Sequence, residues 1–130
     1  QEIGKLDLKN IKVMGWSQSL RHEFMKSDVF CIPSLYEPFG LIIGEAMMSG
    51  LPVISTKTDG GLEIFKDMPE KNGGLLVDLK SPQQIADAII KLQQKEIRER
   101  LSINAINNVK TNFSVEKLSS SIYDLIYDKA

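Results

Sequence analysis

Two kinds of hydrophobic pattern alternate along this chain: short apolar runs, and longer stretches in which apolar residues recur every three or four positions. Short runs that stop at glycine or proline are typical of strands, and a continuously apolar run is typical of a strand covered on both faces. Recurrence at three or four positions is typical of amphipathic helices. The predicted strands are residues 11–15, 28–33, 53–55 and 75–77. The predicted helices are residues 19–27, 39–49, 60–66, 81–91, 97–109 and 115–127.

The order of these elements, β-α-β-α-β-α-β-α-α-α, predicts the fold class. Strands that alternate with helices are typical of an α/β domain with a doubly wound parallel sheet, which is a Rossmann-like arrangement. Ligands of such sheets bind outside the carboxyl ends of the strands, where loops lead into helices. The loops that the sequence places there are residues 15–17, 34–40 and 56–61.

Composition narrows the class of protein further. The chain has 130 residues, of which 42% are hydrophobic and 25% are charged, so we expect one globular domain, residues 1–130, with a sizeable core. A net charge of -1 with scattered lysine and arginine disfavours a nucleic-acid partner. The apolar runs are too short for a membrane span. Cys31 is the only cysteine, so we expect no disulfide, no thiolate metal site and a reducing compartment.

The loop before the second predicted helix has the composition of an anion site. Phe39, Gly40 and Leu41 begin this helix, where backbone N–H groups lack helical partners and the helix dipole is positive. Gly40 has no Cβ to prevent the close approach of a ligand. We therefore expect a phosphate at these amides, and Glu37 beside them is suited to accept hydrogen bonds from sugar hydroxyls.

A second carboxylate, Glu45, lies one turn after Leu41 among apolar neighbours. These neighbours predict burial. Because an unpaired buried carboxylate costs several kcal/mol, we expect Glu45 to face a cleft and to find donors there, such as a ribose diol.

The stretch from Glu37 to Glu45, with seven residues between the two glutamates, resembles the signature of the family 4 glycosyltransferases, also called group 1. The flanking residues 27–34, 46–54 and 60–64 resemble the same family. The resemblance extends from about residue 11 to residue 77, and the last three predicted helices agree only in general character.

This resemblance implies the C-terminal, donor-binding lobe of a two-lobed GT-B enzyme. Such an enzyme transfers a hexose from a nucleotide-diphosphate sugar to a glycan, a lipid or another acceptor, with retention of configuration and without a metal ion or other cofactor. By position, Glu37 corresponds to the catalytic glutamate that contacts the donor sugar, and Glu45 to the glutamate that binds the ribose hydroxyls. Whether Glu37 is a nucleophile or only a binding group stays open.

The resemblance also assigns backbone groups to the donor. Those that correspond to donors for the sugar and diphosphate are Phe39, Gly40 and Leu41. Gly60 and Gly61 correspond to a second glycine loop near the diphosphate. Gly15 and Trp16 lie where the nucleobase pocket of the family begins, although closing the edge of the sheet is the favoured role for Trp16.

One departure from the family concerns the leaving diphosphate. In the family, an arginine and a lysine that neutralise it lie upstream of the strand predicted at residues 11–15, and we find no replacement for them in this chain. The acceptor-binding N-terminal lobe is also absent, so we expect an incomplete lobe that is inactive alone. Its expected partners are a nucleotide sugar and the missing lobe. The expected location is cytoplasmic, with peripheral attachment of the parent enzyme to the inner membrane face left open.

A function from another class fits the same pattern. A doubly wound domain with these loops is also compatible with a non-catalytic regulatory module that binds a nucleotide sugar or a protein. His22 and Cys31 receive no chemical role under either hypothesis, because His22 is expected at the surface and Cys31 within a strand.

Overall fold

Strands and helices alternate through the part of the chain that the structure, a computed structural model, describes, namely residues 9–117, 119, 120 and 123. The strands are β1 (Phe30–Ile32), β2 (Val53–Thr56) and β3 (Gly74–Val77). The helices with assigned bounds are α1 (Leu20–Met25), α2 (Leu41–Met48), α3 (Asp59–Phe65), α4 (Pro82–Leu92) and α5 (Lys95–Asn112). These elements confirm the strands predicted from residue 28 onward and the helices predicted up to residue 109.

The three strands form one parallel sheet in the order β1-β2-β3. Phe30 is the partner of Val53, and Val53 is in turn the partner of Gly74. All four residues of the central strand β2 are buried, because strands lie on both of its edges and helices on both of its faces. The sheet confirms the predicted Rossmann-like α/β fold class.

Successive residues of β2 belong to different halves of the core. Val53 is in a cluster with Ile43 of α2 and Phe65 of α3, whereas Ile54 is in a cluster with Leu92 of α4. Side chains of a strand alternate between the two faces of the sheet. The helices therefore cover both faces, as a doubly wound sheet requires.

Helix α5 crosses the amino ends of the strands. The Ser102 hydroxyl donates a hydrogen bond of 2.5 Å to the Gly50 carbonyl oxygen, just before β2. Gly73, just before β3, has a φ of 90° and lies so close to the Ala105 backbone that a Cβ would overlap it. The predicted site loops lie at the opposite, carboxyl, ends of the strands.

The strand predicted at residues 11–15 does not form, so that prediction was wrong. No strand lies beside these residues in the described part of the chain, and the side chains of Val13 and Met14 are 72% and 59% exposed. An isolated strand leaves its N–H and C=O groups unpaired and is not stable alone. Because no strand forms at residues 11–15, β1 is an edge of the sheet, and its residues are half-buried rather than fully buried.

Beyond residue 113 the structure describes only part of the chain. Residues 115–117, 119, 120 and 123 are helical, and the rest of the helix predicted at residues 115–127 lies outside the described residues. Among the described residues, no helix combines the length and the apolar composition that crossing a membrane requires.

Candidate functional site

The loop between β1 and α2 is held to the rest of the fold by hydrogen bonds from two neighbouring elements. The Thr56 hydroxyl at the end of β2 donates a hydrogen bond of 2.5 Å to the Ser34 carbonyl oxygen. The Gly60 N–H in the first turn of α3 donates a hydrogen bond of 2.8 Å to the Glu37 carbonyl oxygen. Both bonds join segments at the carboxyl ends of the strands, and they fix the path of the chain into α2.

Gly60 and Gly61 allow α3 to approach this loop and β2 closely. A Cβ at Gly60 would lie 2.6 Å from the Gly40 nitrogen, and a Cβ at Gly61 would lie 2.6 Å from the Thr56 carbonyl oxygen. The Gly61 N–H donates to the Thr58 hydroxyl oxygen at 3.4 Å, so each of these two glycine amides already has an acceptor within the protein. The structure thus gives this pair a packing function.

Helix α2 begins without a side-chain cap. Gly40 is its N-cap residue and has a φ of 70°, a left-handed conformation that favours glycine. A Cβ at this position would also lie 2.6 Å from the Ile64 side chain. The amides of the first helical turn, beginning with Leu41, have no acceptor within the helix. The amides from Leu41 onward, at the positive end of α2, are therefore available to an anion.

The Glu37 carboxylate is turned toward its own loop. Its Oε1 accepts a hydrogen bond of 2.9 Å from the Gly40 N–H, and the residue is half-buried. Of the three residues predicted to offer backbone donors to a ligand, Gly40 is consequently occupied, and Phe39 and Leu41 remain. The bond makes Glu37 part of the structure that shapes the helix start.

Glu45 is exposed, so the burial predicted from its neighbours was wrong. Helix α2 buries Ile43, Ala46 and Met47, which project to its other side. Glu45 projects outward, and its carboxylate has no hydrogen bond or ion pair with any described residue. The structure agrees with the prediction that it faces a cleft, because Glu45 lines a groove beside α2.

This groove has a volume of about 1170 Å³ and lies between α1, α2 and the end of α5. The predicted site residues that line it are Trp16, Phe39, Gly40, Leu41 and Glu45. The predicted site residues that lie outside its lining are Gly15, Glu37, Gly60 and Gly61. Trp16 is 94% exposed, so its indole presents an open apolar surface at the mouth of the groove rather than closing the sheet.

Two charged residues of the groove were missed by the sequence analysis. Glu63 of α3 lines it, and its carboxylate lies 4.0 Å from the Lys66 ammonium. Arg21 of α1 also lines it and makes no hydrogen bond or ion pair with any described residue. Arg21 lies in the first turn of α1, which begins at the carboxyl end of the sheet. This position is the signal by which the sequence could have identified it.

The carboxyl ends of β2 and β3 carry a charge pair that is satisfied internally. The Lys57 ammonium lies 2.6 Å from Asp78 Oδ1, and the Gln84 amide donates to Asp78 Oδ2 at 2.8 Å. The hydrogen bond from Lys57, followed by that from Gln84, lowers the pKa of Asp78 below its ordinary value. Lys57 thus has a partner within the fold, whereas Arg21 has no hydrogen bond or ion pair with any described residue.

Comparison with known proteins identifies relatives of this chain. The sequence model of the family described as "Glycosyl transferases group 1" matches residues 1–108. A UDP-Gal:alpha-D-GlcNAc-diphosphoundecaprenol alpha-1,3-galactosyltransferase of Escherichia coli is 28% identical over 92% of this chain and 30% of its own length. Sucrose-phosphate synthase 4 of Arabidopsis thaliana is 40% identical over 62% of this chain and 8% of its own length. The chain thus spans less than a third of either relative.

Two solved structures share the fold. The C-terminal domain of a glycosyl transferase group 1 family protein from Francisella tularensis has a TM-score of 0.68 and 32% identity, over 81% of this chain and 53% of the other. A sucrose-phosphate synthase from Thermosynechococcus elongatus has a TM-score of 0.66 and 32% identity, over 83% of this chain and 27% of the other.

Proposed function

Because this chain belongs to the group 1 glycosyl transferases, we propose that it binds the nucleotide-diphosphate sugar for such an enzyme. The groove between α1 and α2 is the binding site for this donor. The complete enzyme transfers the hexose of the donor to a glycan, a lipid or another acceptor. The name of the E. coli relative specifies such a donor, UDP-Gal, which supports the assignment.

One observation carries this proposal: an uncapped helix start and an unpaired carboxylate share one groove. The Leu41 amide and the positive end of α2 suit the diphosphate, because phosphate groups bind at helix starts. Glu45 is one turn further along the same face, and its exposed carboxylate suits the two ribose hydroxyls as an acceptor of charge-assisted hydrogen bonds. Trp16 offers a flat apolar surface on which a nucleobase can stack.

We assign two functions to Glu37, one in the structure of the loop and one in contact with the donor. Its hydrogen bond to the Gly40 N–H orders the loop that presents Phe39 and Leu41 to the donor. The contact of its carboxylate with the donor hexose, and with it a catalytic function, rests on the family resemblance alone. Gly60 supports the same loop through its bond to the Glu37 carbonyl oxygen.

The further properties of the complete enzyme also belong to the proposal. They are retention of configuration, transfer without a metal ion, and an N-terminal lobe that binds the acceptor and closes the groove. We also propose a cytoplasmic location with peripheral attachment to the membrane. The name of the E. coli relative, which includes a diphosphoundecaprenol acceptor, supports this location.

Titration of the chain with nucleotide sugars tests donor binding. We expect calorimetry or saturation-transfer NMR with UDP-galactose, UDP-glucose, GDP-mannose and ADP-glucose to show binding of at least one donor. Glu45→Gln should weaken that binding about tenfold or more, because hydrogen bonds to a charged acceptor are worth about 1.5–3 kcal/mol. The helical fold should be unchanged, since Glu45 has no partner among the described residues.

Glu96→Gln is the matched control. Glu96 is an exposed glutamate in the first turn of α5, outside the groove. It should leave donor binding unchanged. Absence of binding for every donor, or equal weakening by both substitutions, would contradict the proposal and favour a protein-binding module instead.

A further inference from the structure

The donor of the proposed function creates a charge problem in this groove. A nucleotide-diphosphate sugar carries two negative charges on its diphosphate, and the groove adds two carboxylates, Glu45 and Glu63. The α2 start supplies only about half a positive charge through its dipole. Arg21 is the only lysine, arginine or histidine among the described residues that line the groove.

Arg21 lies in the first turn of α1, near the end of the sheet where the diphosphate is proposed to bind. The first turn of α1 is held by the Ser19 hydroxyl oxygen, which accepts a hydrogen bond of 3.3 Å from the His22 N–H. Residues along the whole of α1 line the same groove as Leu41. Only residues at its end also line a second cavity with Gly50 and Pro52, at the amino ends of the strands. Helices α1 and α2 therefore begin at the same, carboxyl, end of the sheet.

We propose that Arg21 is the cation of this chain that binds the diphosphate of the donor. Its planar guanidinium can donate two parallel hydrogen bonds to phosphate oxygens, and arginine keeps its charge at any physiological pH. The Arg21 guanidinium has no hydrogen bond or ion pair with any described residue. This inference rests on the proposed function and assigns to α1 a neutralising charge that the sequence analysis did not find.

Two lysines of the neighbouring elements have carboxylate partners instead. Lys57 is paired with Asp78 at 2.6 Å, and Lys66 lies 4.0 Å from Glu63. Neither lines the groove. Arg21 has no ion pair with any described residue, so it can bind an anion without losing one.

The test compares nucleotides with nucleosides on the 130-residue chain. Calorimetry with UDP, GDP and ADP, and with uridine, guanosine and adenosine, separates contacts to the diphosphate from contacts to the base and ribose. Arg21→Ala should weaken binding of the preferred nucleoside diphosphate about tenfold or more and leave nucleoside binding unchanged. Arg21→Lys should recover part of the loss, because it restores the charge but not the two parallel hydrogen bonds. The salt dependence of diphosphate binding should become shallower in Arg21→Ala.

Lys26→Ala is the matched control, because Lys26 is an exposed cation that follows α1 and does not line the groove. It should leave diphosphate binding unchanged. Equal losses in Arg21→Ala and Lys26→Ala, no loss in Arg21→Ala, or an equal loss for nucleosides would overturn the assignment of Arg21 while leaving the donor site intact. If the wild-type chain binds no nucleotide at all, the proposed function fails first, and the role of Arg21 fails with it.

Discussion

Two carboxylates at opposite ends of the sheet, Glu45 and Glu70, have opposite environments. At the carboxyl ends of the strands, Glu45 is exposed in the groove and has no partner among the described residues. At the amino ends, Glu70 lies in the turn before β3 and is fully engaged. Its Oε1 accepts from Lys91 at 2.5 Å and its Oε2 from Arg100 at 2.9 Å, so it joins the turn to α4 and α5.

The same contrast extends to the backbone. Asn104 and Asn108 of α5 donate to carbonyl oxygens of Glu70, Ile64 and Asn72, so loops at the amino ends are closed by side-chain hydrogen bonds. At the start of α2, the Glu37 side chain bonds only the Gly40 N–H, and the Leu41 N–H has no side-chain partner among the described residues. The difference indicates a division of work, in which the side chains at the amino ends stabilise the fold, whereas the groove at the other end retains unsatisfied polar groups for a ligand.

Gly73→Ala should have the largest effect on stability, because it disrupts the packing of α5 at the amino ends of the strands. The added methyl group would overlap the Ala105 backbone, and the φ of 90° disfavours any side chain. We expect a loss of about 3 kcal/mol in the free energy of unfolding, measured by chemical denaturation. Gly44→Ala is the control, since a Cβ there meets nothing within 4 Å. This helical substitution should raise stability by up to about 1 kcal/mol, and similar losses in both variants would contradict the assignment.

Substitutions of Glu37 should sharpen the comparison by separating its two functions. Glu37→Gln keeps an oxygen that can accept from the Gly40 N–H but removes the charge, whereas Glu37→Ala removes both. If the loop order is what matters for donor binding, Glu37→Ala should weaken the affinity about tenfold and Glu37→Gln only slightly. In the complete enzyme, a catalytic carboxylate predicts that Glu37→Gln also abolishes transfer. Equal donor affinities for Glu37→Ala and the wild type would show that the hydrogen bond is not required.

The smallest expected effect is a pH dependence of stability. The hydrogen bond and charge of Lys91, with a further contribution from Arg100, lower the pKa of Glu70 below its ordinary value of 4.5. A carboxylate with a lowered pKa in the folded state adds stability above its unfolded pKa, and this stability is lost as the pH falls through the folded value. Denaturation at pH 7 and pH 3 should show this loss, and Glu70→Gln should reduce it by less than about 1 kcal/mol because the pair is partly exposed. Donor binding at pH 7 should be unaffected by Glu70→Gln, and a loss of binding would contradict the division of work between the two ends.

Much of the fold is predictable because its signals are local. The apolar runs of β2 and β3, the glycine after α2 and Ser81-Pro82 before α4 each act within a few neighbouring residues. The start of α2 beside Glu37 could be placed for the same reason. Residues 11–15 show the limit, since a strand forms only where another strand is available to pair with it.

The amino-acid sequence alone determined the alternation of strands and helices, the helix start that follows Glu37, and the membership of the family, because spacing and side-chain type encode these directly. Only the tertiary structure decided that Glu45 is exposed, that the Gly40 amide is occupied by Glu37, and that Arg21 shares the groove. Exposure and pairing depend on which distant segments meet at a given side of a helix. That choice is made by packing the whole core, since the same local pattern of residues is compatible with either outcome.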